Sequence, residues 1–575
     1  MHQYKKYAYI AMACIVGESV FELIIPLLMS DIVDVGVANG DRAYIFRQGA
    51  LMVGCALISL ILGAGSSRFA ALAGQGFGAE LRKAEYKKLQ EFSFANMDRF
   101  RVSSLVTRLT SDITNIQNTV ATGMRPACRS PVMLVMALSV AFSMNMKLAF
   151  VFCVALPILA VLLLYIIIHV RPLYTHMQGA IDMINRRIRE NLTAIRVVKA
   201  YVRDDHEIEK FNESNEALQN VSERAFRFSA LNMPAMQLVM YSTILCILWF
   251  GSQIIGAGEM EVGKLTGFLS YVLQILNSLM MLSNVFMMIT RSLASGRRVM
   301  EVIDEKIEIT DEQAEKVMEK EGKPLEVEKG DIVFDHVWFK YKKQAKEYVL
   351  SDIDLHISPG QTVGIIGQTG SAKSTLIQLI PRLYEATEGE VRVDGRPVAD
   401  YPVHVLRDAI AVVLQKNTLF SGSIRDNLRW GKADATDEEI AEACRIACAD
   451  EFIQRMPDGY DTELGQGGVN VSGGQKQRLC IARAILKSPK VLILDDSTSA
   501  VDTATEARIR EGLAHKLPHM TKIIIAQRIS SVMHADQIVV LSEGRIHAIG
   551  DHQTLLKTDE IYQDIYNSQK EGAML

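Results

Sequence analysis

The chain has 575 residues, of which 49% are hydrophobic and 22% charged, with a formal net charge of −4 at pH 7. That length is too great for one domain, and a charge so near neutrality removes the electrostatic case for a nucleic-acid partner. Charge is also unevenly spread. Long apolar runs alternate with charged stretches as far as about Arg291, whereas from about Glu301 the composition is that of a soluble α/β protein.

The start, MHQYKKYAYI, runs from Lys5 and Lys6 into an apolar stretch without a small-residue cleavage site, so a first membrane helix entered from the cytosol is expected rather than a signal peptide. A spanning helix needs about 20 mostly apolar residues. Six stretches qualify: Tyr7–Ile32, Ile45–Leu72, Val120–Met144, Leu148–Val170, Leu231–Ile255 and Leu265–Ile289. Connections after the first, third and fifth are short. Those after the second and fourth are long and basic, carrying Arg82, Lys83, Lys87, Lys88, Arg99, Arg101 and Arg108, then Arg171, Arg186, Arg187, Arg189, Arg196, Lys199 and Arg203. Basic residues near helix ends favour the cytosol, which places both termini and both long loops inside. The loops keep helical periodicity with few breakers, so they are predicted to extend the membrane helices into the cytosol. Their tips, Ser103–Ile113 and Ala200–Phe211, are predicted to dock on the soluble domain.

Charges inside spans are costly and tend to face a cavity or one another. Glu18 and Glu22 lie one helical turn apart in the first span, and Arg125 and Arg129 repeat the spacing in the third. Such a Glu–Arg constellation either lines a polar substrate path or forms a structural ion-pair set. Met280, Met281, Met287 and Met288 on the last span either pack ordinarily or give an adaptable apolar wall. None of the eight cysteines has zinc-ligand spacing, and Cys444 and Cys448 read as ordinary helix residues.

The sequence therefore divides into a membrane domain (residues 1–300), a charged linker (301–330) and a soluble domain (331–575). Within the last, Tyr341 closes the strand-like IVFDHVWFKY and offers a ring for stacking. The strongest signal is TVGIIGQTGSAKSTLIQLI, a strand, a glycine-rich turn and a helix. Backbone N–H groups from Gly367 through Thr369, Gly370, Ser371 and Ala372 can cradle phosphates, with Lys373 reaching the β- and γ-phosphates and Ser374 a Mg²⁺, followed by Thr375. The strict pattern has Gly at the position of Ala372, whose methyl restricts the turn. In KVLILDD, Asp495 ends a strand and is placed to hold the metal, while Asp496 stands where a carboxylate polarises the attacking water. Gln415, in VVLQKNTLF, is placed to contact metal or water. NVSGGQKQR then offers a second anion cradle at a helix start: Ser472, Gly473, Gly474 and Gln475. One nucleotide does not need two cradles in one chain, so the second is expected to cap ATP held by another subunit.

The glycine-rich turn, the Gln415 loop, VSGGQ, the LDD segment, the SAVD segment (Ser499–Asp502) and the switch position at Gln527 occur in the order and spacing of ABC transporters, and the chain resembles an exporter-type half-transporter along nearly its whole length. The resemblance implies an α-helical six-span membrane domain with long cytosolic helical extensions, then an α/β P-loop ATPase domain with a helical subdomain. It further implies a dimer with two ATP molecules and Mg²⁺ sandwiched between nucleotide domains, embedded in the cell membrane. Against the family pattern, Asp496 replaces Glu, Gln527 replaces His, Gln466 in TELGQGG replaces Glu, and Val471 replaces Leu. Three of these departures would impair this chain's own ATP site, while the signature serving a partner's ATP is nearly intact. That asymmetry resembles heterodimeric bacterial multidrug exporters. The expectation is a degenerate-site subunit paired with a homologous half-transporter that carries Glu and His, moving drugs, lipids or peptides. The alternatives are a slow homodimeric exporter and a nucleotide-gated channel or regulator.

Overall fold

The computed structural model describes residues 3–572. It forms two compact units. One comprises the chain up to Gln90 together with Val102–Asp304; the other comprises Glu91–Arg101 together with the chain from Glu305 onward.

The first unit is helical. Among the described residues, six helices are long and apolar enough to cross a membrane: Lys5–Val37, Arg42–Gln90, Val102–Met144, Met146–Thr193, Asp204–Gly256 and Val262–Ile303. The 49 residues of Arg42–Gln90 would reach roughly 70 Å at the α-helical rise, more than twice a bilayer's hydrocarbon core. Much of each long helix must therefore project beyond the bilayer. The unit's core forms where small residues let helices approach. Ala137, Ala141 and Ala149 are buried beside Leu148, Phe152, Ile247 and Phe268, the two phenylalanine rings stack at 5.5 Å, and the buried Tyr271 hydroxyl donates to Leu23 O at 2.6 Å. Large apolar side chains such as Val161, Leu164, Leu245, Trp249 and Phe286 stay exposed, as lipid-facing or partner-facing surfaces require.

The second unit contains ten principal strands: β1 (Ile332–Phe339), β2 (Leu350–Ile357), β3 (Thr362–Ile366), β4 (Glu388–Val393), β5 (Arg396–Pro397), β6 (Ile410–Val413), β7 (Val491–Asp495), β8 (Thr521–Ile525), β9 (Gln537–Ser542) and β10 (Arg545–Gly550). An antiparallel sheet runs β2-β1-β4-β5. A larger sheet runs β10-β9-β3-β8-β7-β6 and is parallel except at the β10 edge. Its central strands read as continuous apolar runs because they are covered on both faces; every residue of β7 is buried. Cys444, Cys448 and Cys480 are buried in a helical core with Leu479 and Ile481. No cluster of metal-ligating side chains occurs among the described residues.

The piece of the first long loop that packs into this unit is Glu91–Arg101, upstream of the tip that the sequence pattern marked. Ser93 caps the short helix Phe94–Arg99 in a capping box with Asn96. Asn96 Nδ2 also donates to Lys306 O at 2.8 Å, Tyr384 donates to Asp98 at 2.7 Å, and Phe94 meets the Tyr384 ring edge-on. Ser103–Ile113 belongs instead to the first unit. There Asp112 accepts hydrogen bonds from Arg298 Nε at 2.7 Å and Ser295 Oγ at 2.9 Å. Arg108 also donates to Arg298 O at 2.8 Å, whereas the Thr107 and Thr110 hydroxyls bond back within their own helix. The second tip, Ala200–Phe211, also lies in the first unit.

Candidate functional site

Parallel strands deliver their following loops to one edge of a sheet, and ligands bind there. The order β3-β8-β7 sets three such loops side by side: the glycine-rich turn after β3, the switch segment after β8 and the Asp495–Asp496 pair at the end of β7.

In the glycine-rich turn, a Cβ on Gly367 would lie 2.1 Å from Leu541 O, so no larger residue fits. Gly370 adopts φ +88° with open space around it, so conformation rather than crowding selects glycine. Ala372 adopts φ +70°, the left-handed region, immediately before the helix Lys373–Gln378. Ser371 and Thr375 are buried, whereas Thr369 is exposed at the tip. Lys373 Nζ folds back to donate to Gly367 O and Gln368 O, each at 2.8 Å. Burial holds its ammonium below the usual lysine range, partly offset by Asp495 and Asp496. Ser374 Oγ donates to Asp495 Oδ1 at 3.0 Å. Burial pushes the Asp495 carboxyl above its ordinary value, with the Ser374 bond opposing.

This donor set fits a polyphosphate with a divalent cation: a desolvated ammonium and a glycine-rich backbone for the anion, and a hydroxyl–carboxylate pair for the metal. Tyr341 is half-exposed beside the turn. Its hydroxyl shares a 2.9 Å hydrogen bond with Thr375 Oγ1, and its ring packs edge-on against Tyr384 at 5.1 Å.

Asp496 adopts φ +48°, a conformation that Asp tolerates better than most residues. Gln527 Nε2 donates to Asp496 Oδ2 at 2.8 Å. Burial raises the Asp496 carboxyl, while hydrogen bonding from Gln415 and Gln527 acts in the opposite direction.

The VSGGQ segment lies at the start of the helix Gly473–Leu486. Ser472 caps it, with Gln475 returning a bond to Ser472 N at 2.8 Å. A Cβ on Gly474 would come within 2.7 Å of Ala500 O, so glycine is required for this helix to approach the SAVD segment. Ser499 donates to Asp496 O at 3.0 Å, and Asp502 caps the helix Thr503–Lys516. Two residues escaped the sequence reading. Gln477 bridges the signature helix to the SAVD segment, donating to Ser499 Oγ at 3.2 Å and accepting from Ala500 N at 3.0 Å. Its position inside GGQKQR was the available signal. Gln569, far from any motif, contacts the switch segment and had no signal.

In the first unit, the four charged span residues come together. Glu18 Oε1 accepts from Arg125 Nη2 at 2.5 Å and Arg129 Nη1 at 3.2 Å, while Arg129 Nη2 forks onto Glu22 at 2.7 and 2.5 Å. Glu22, Arg125, Arg129, Gln274, Met280 and Met281 line one cavity of about 800 Å³. The Met287 side chain lies outside the described residues.

Six apolar helices joined to a P-loop nucleotide domain define a multi-pass, nucleotide-dependent membrane transporter. Residues 8–279 match the ABC transporter transmembrane region and residues 350–499 match the ABC transporter nucleotide domain. The chain is 38% identical to the uncharacterized ABC transporter ATP-binding protein YfiB of Bacillus subtilis (strain 168), covering 99% of this chain and 98% of that one. It is 32% identical to the ATP-dependent lipid A-core flippase of Desulfotalea psychrophila, over 86% of this chain and 85% of the flippase. Identity is also 32% to the putative multidrug export ATP-binding/permease protein YgaD of Bacillus subtilis (strain 168), over 85% and 83% of the two chains. The structure of a bacterial Atm1-family ABC exporter with ATP bound shares the fold, with a TM-score of 0.81 over 98% of both chains at 24% identity. The chain belongs to the ABC transporters and is an exporter-type half-transporter, a membrane domain fused to an ATPase domain. Exporters of this family act as dimers on lipid or drug substrates.

Proposed function

We propose that this chain is one subunit of an ATP-driven exporter that moves amphipathic drugs, lipids or peptides out of the cytosol by alternating access. Its partner is a second, homologous half-transporter carrying Glu and His where this chain has Asp496 and Gln527. Both termini and the nucleotide domain face the cytosol. The chain's own site binds ATP through Tyr341, the turn Gly367–Ala372, Lys373, Ser374 and Thr375. Mg²⁺ would be held by Ser374, Gln415 and Asp495. Ser472, Gly473, Gly474 and Gln475 complete the partner's site, and Ser499 and Asp502 lie on the segment joining the two sites.

One observation carries the division of labour: the Asp496 carboxylate is engaged by the Gln527 amide at 2.8 Å. Aspartate is one methylene shorter than glutamate, and a retraction of about 1 Å at a catalytic group can cost on the order of a hundredfold in rate. An amide can hold that carboxylate but cannot exchange a proton with it at neutral pH. The site therefore retains ATP and hydrolyses it slowly. The relatives named for multidrug export and lipid A-core flipping support an amphipathic substrate class. So does the first unit's cavity, where apolar methionines and amides surround a set of ion pairs that neutralise one another.

The test is ATPase activity of the assembled transporter carrying Asp496→Ala. Retention of most of the activity is expected, together with low activity of this chain purified alone. Complete loss in the assembly would overturn the proposal, as would full activity of the isolated chain, which is the homodimer outcome.

A further inference from the structure

Beyond the end of β8, Ala526 N still donates to Ile365 O of β3 at 3.3 Å, and the switch segment then leaves the sheet. The C-terminal helix Glu560–Gly572 meets it there. Gln569 Nε2 donates to Gln527 O at 2.7 Å, and Ile529 N donates to Gln569 Oε1 at 2.9 Å. One side-chain amide thus pairs with residues i and i+2, as an adjacent strand would. Ile529 begins a short 3-10 turn, Ile529–Ser531, so its N–H is one of the donors that a helix start leaves without an internal partner. Gln is the longest neutral side chain that offers a donor and an acceptor from one rigid plane. From the clasped backbone, the Gln527 side chain reaches Asp496. The sequence of contacts is C-terminal helix, Gln569, switch backbone, Gln527 amide, Asp496.

We propose that Gln569 is a positioning residue of this chain's nucleotide site, fixing the switch segment so that Gln527 holds Asp496 and the site retains its nucleotide. The proposal rests on the reading of that site as ATP-binding and goes beyond it, because it places control of nucleotide retention on the C-terminal helix. Losing both bonds frees the backbone around Gln527. The amide then samples orientations that do not meet Asp496, and nucleotide escapes sooner.

The experiment uses the full-length chain in its native membrane assembly, reconstituted in lipid nanodiscs. Photolabelling of this chain by 8-azido-ATP with Mg²⁺, followed by a chase with unlabelled ATP, reads release from this site. Gln569→Ala is expected to speed release on the order of threefold to tenfold, as the loss of two neutral hydrogen bonds allows. Gln569→Glu keeps the acceptor for Ile529 N–H, turns a carboxylate towards Gln527 O, and is expected to act in the same direction without disturbing the helix. Gln527→Ala should also speed release, and the Gln527→Ala, Gln569→Ala double variant should be no faster than Gln527→Ala alone. A residue that merely holds the C-terminal helix would instead add its effect in the double variant. Unchanged release in both Gln569 variants, or full additivity in the double variant, would overturn the proposal. Labelling of this chain that survives Lys373→Ala would overturn the nucleotide-site reading itself, and the inference with it.

Discussion

Two parts of the nucleotide unit carry anion-cradle motifs, and they are built differently. At the signature, Ser472 and Gln475 close a reciprocal capping box and Gly474 lets the helix meet Ala500 closely. Every departure from the family pattern there is apolar for apolar. At the chain's own phosphate turn, a non-glycine residue sits in the left-handed region at Ala372, Lys373 is folded onto loop carbonyls, and Asp496 is held by an amide. The first is a helix start closed by its own capping box. The second is a desolvated pocket with a left-handed alanine, in which the Asp496 carboxylate accepts a hydrogen bond from Gln527. Motif presence alone would rank the two alike; their local geometry differs, and the proposed division of labour rests on that difference.

Four variants break or sharpen that contrast. The largest effect is expected at the signature. Gly474→Ala drives a methyl against Ala500 O and should lower the assembled transporter's ATPase activity by about a hundredfold, with photolabelling of this chain unchanged. An equal loss of labelling would dissolve the contrast. Next, Asp496→Glu with Gln527→His should give this chain's own site measurable turnover, raising single-site hydrolysis at least about tenfold in an assembly whose partner site is inactivated.

Asp495→Asn probes the desolvated pocket through stability. Burial raises this carboxyl above 3.8, so the folded state binds the proton more tightly than the unfolded chain. The associated stability is present at low pH and is lost as pH rises through the raised value. Asparagine removes that loss. The nucleotide-free unfolding transition at pH 7 should rise by about 2–4 °C, and the difference from wild type should shrink as pH falls towards 4. A lower transition would mean that the carboxylate stabilises the fold. The smallest effect is expected for Ala372→Gly, which relieves a left-handed alanine and should stabilise the unit by about 1 kcal/mol in denaturant titration.

Much of the nucleotide machinery was legible because it is local. A strand, a turn and a helix start are specified by adjacent residues, so the glycine-rich turn, the strand ending at Asp495 and the helix start at VSGGQ could each be read from a dozen residues. The Glu18, Glu22, Arg125 and Arg129 set was also legible, since one-turn spacing puts like charges on one helix face. The packing of Glu91–Arg101 into the second unit was not legible, for a physical reason. Polar residues of Ser103–Ile113 look available in sequence, yet Asp112 is engaged by Ser295 and Arg298 from a helix far along the chain. Meanwhile Phe94 and Asp98 find Tyr384, a partner nearly three hundred residues away.

By itself, the sequence determined that this protein crosses a membrane on six helices and carries a P-loop domain, with Asp496 directly after a buried strand and Gln527 in the segment after another. Hydrophobic length and short-range turn chemistry suffice for that, because both act between neighbours in the chain. Only the tertiary structure decided that Gln527 meets Asp496, that Gln477 ties the signature to Ser499, and that Gln569 closes on the switch segment. Those contacts depend on strand order and on where a C-terminal helix packs. They join residues whose separation in sequence leaves no periodicity or spacing to read.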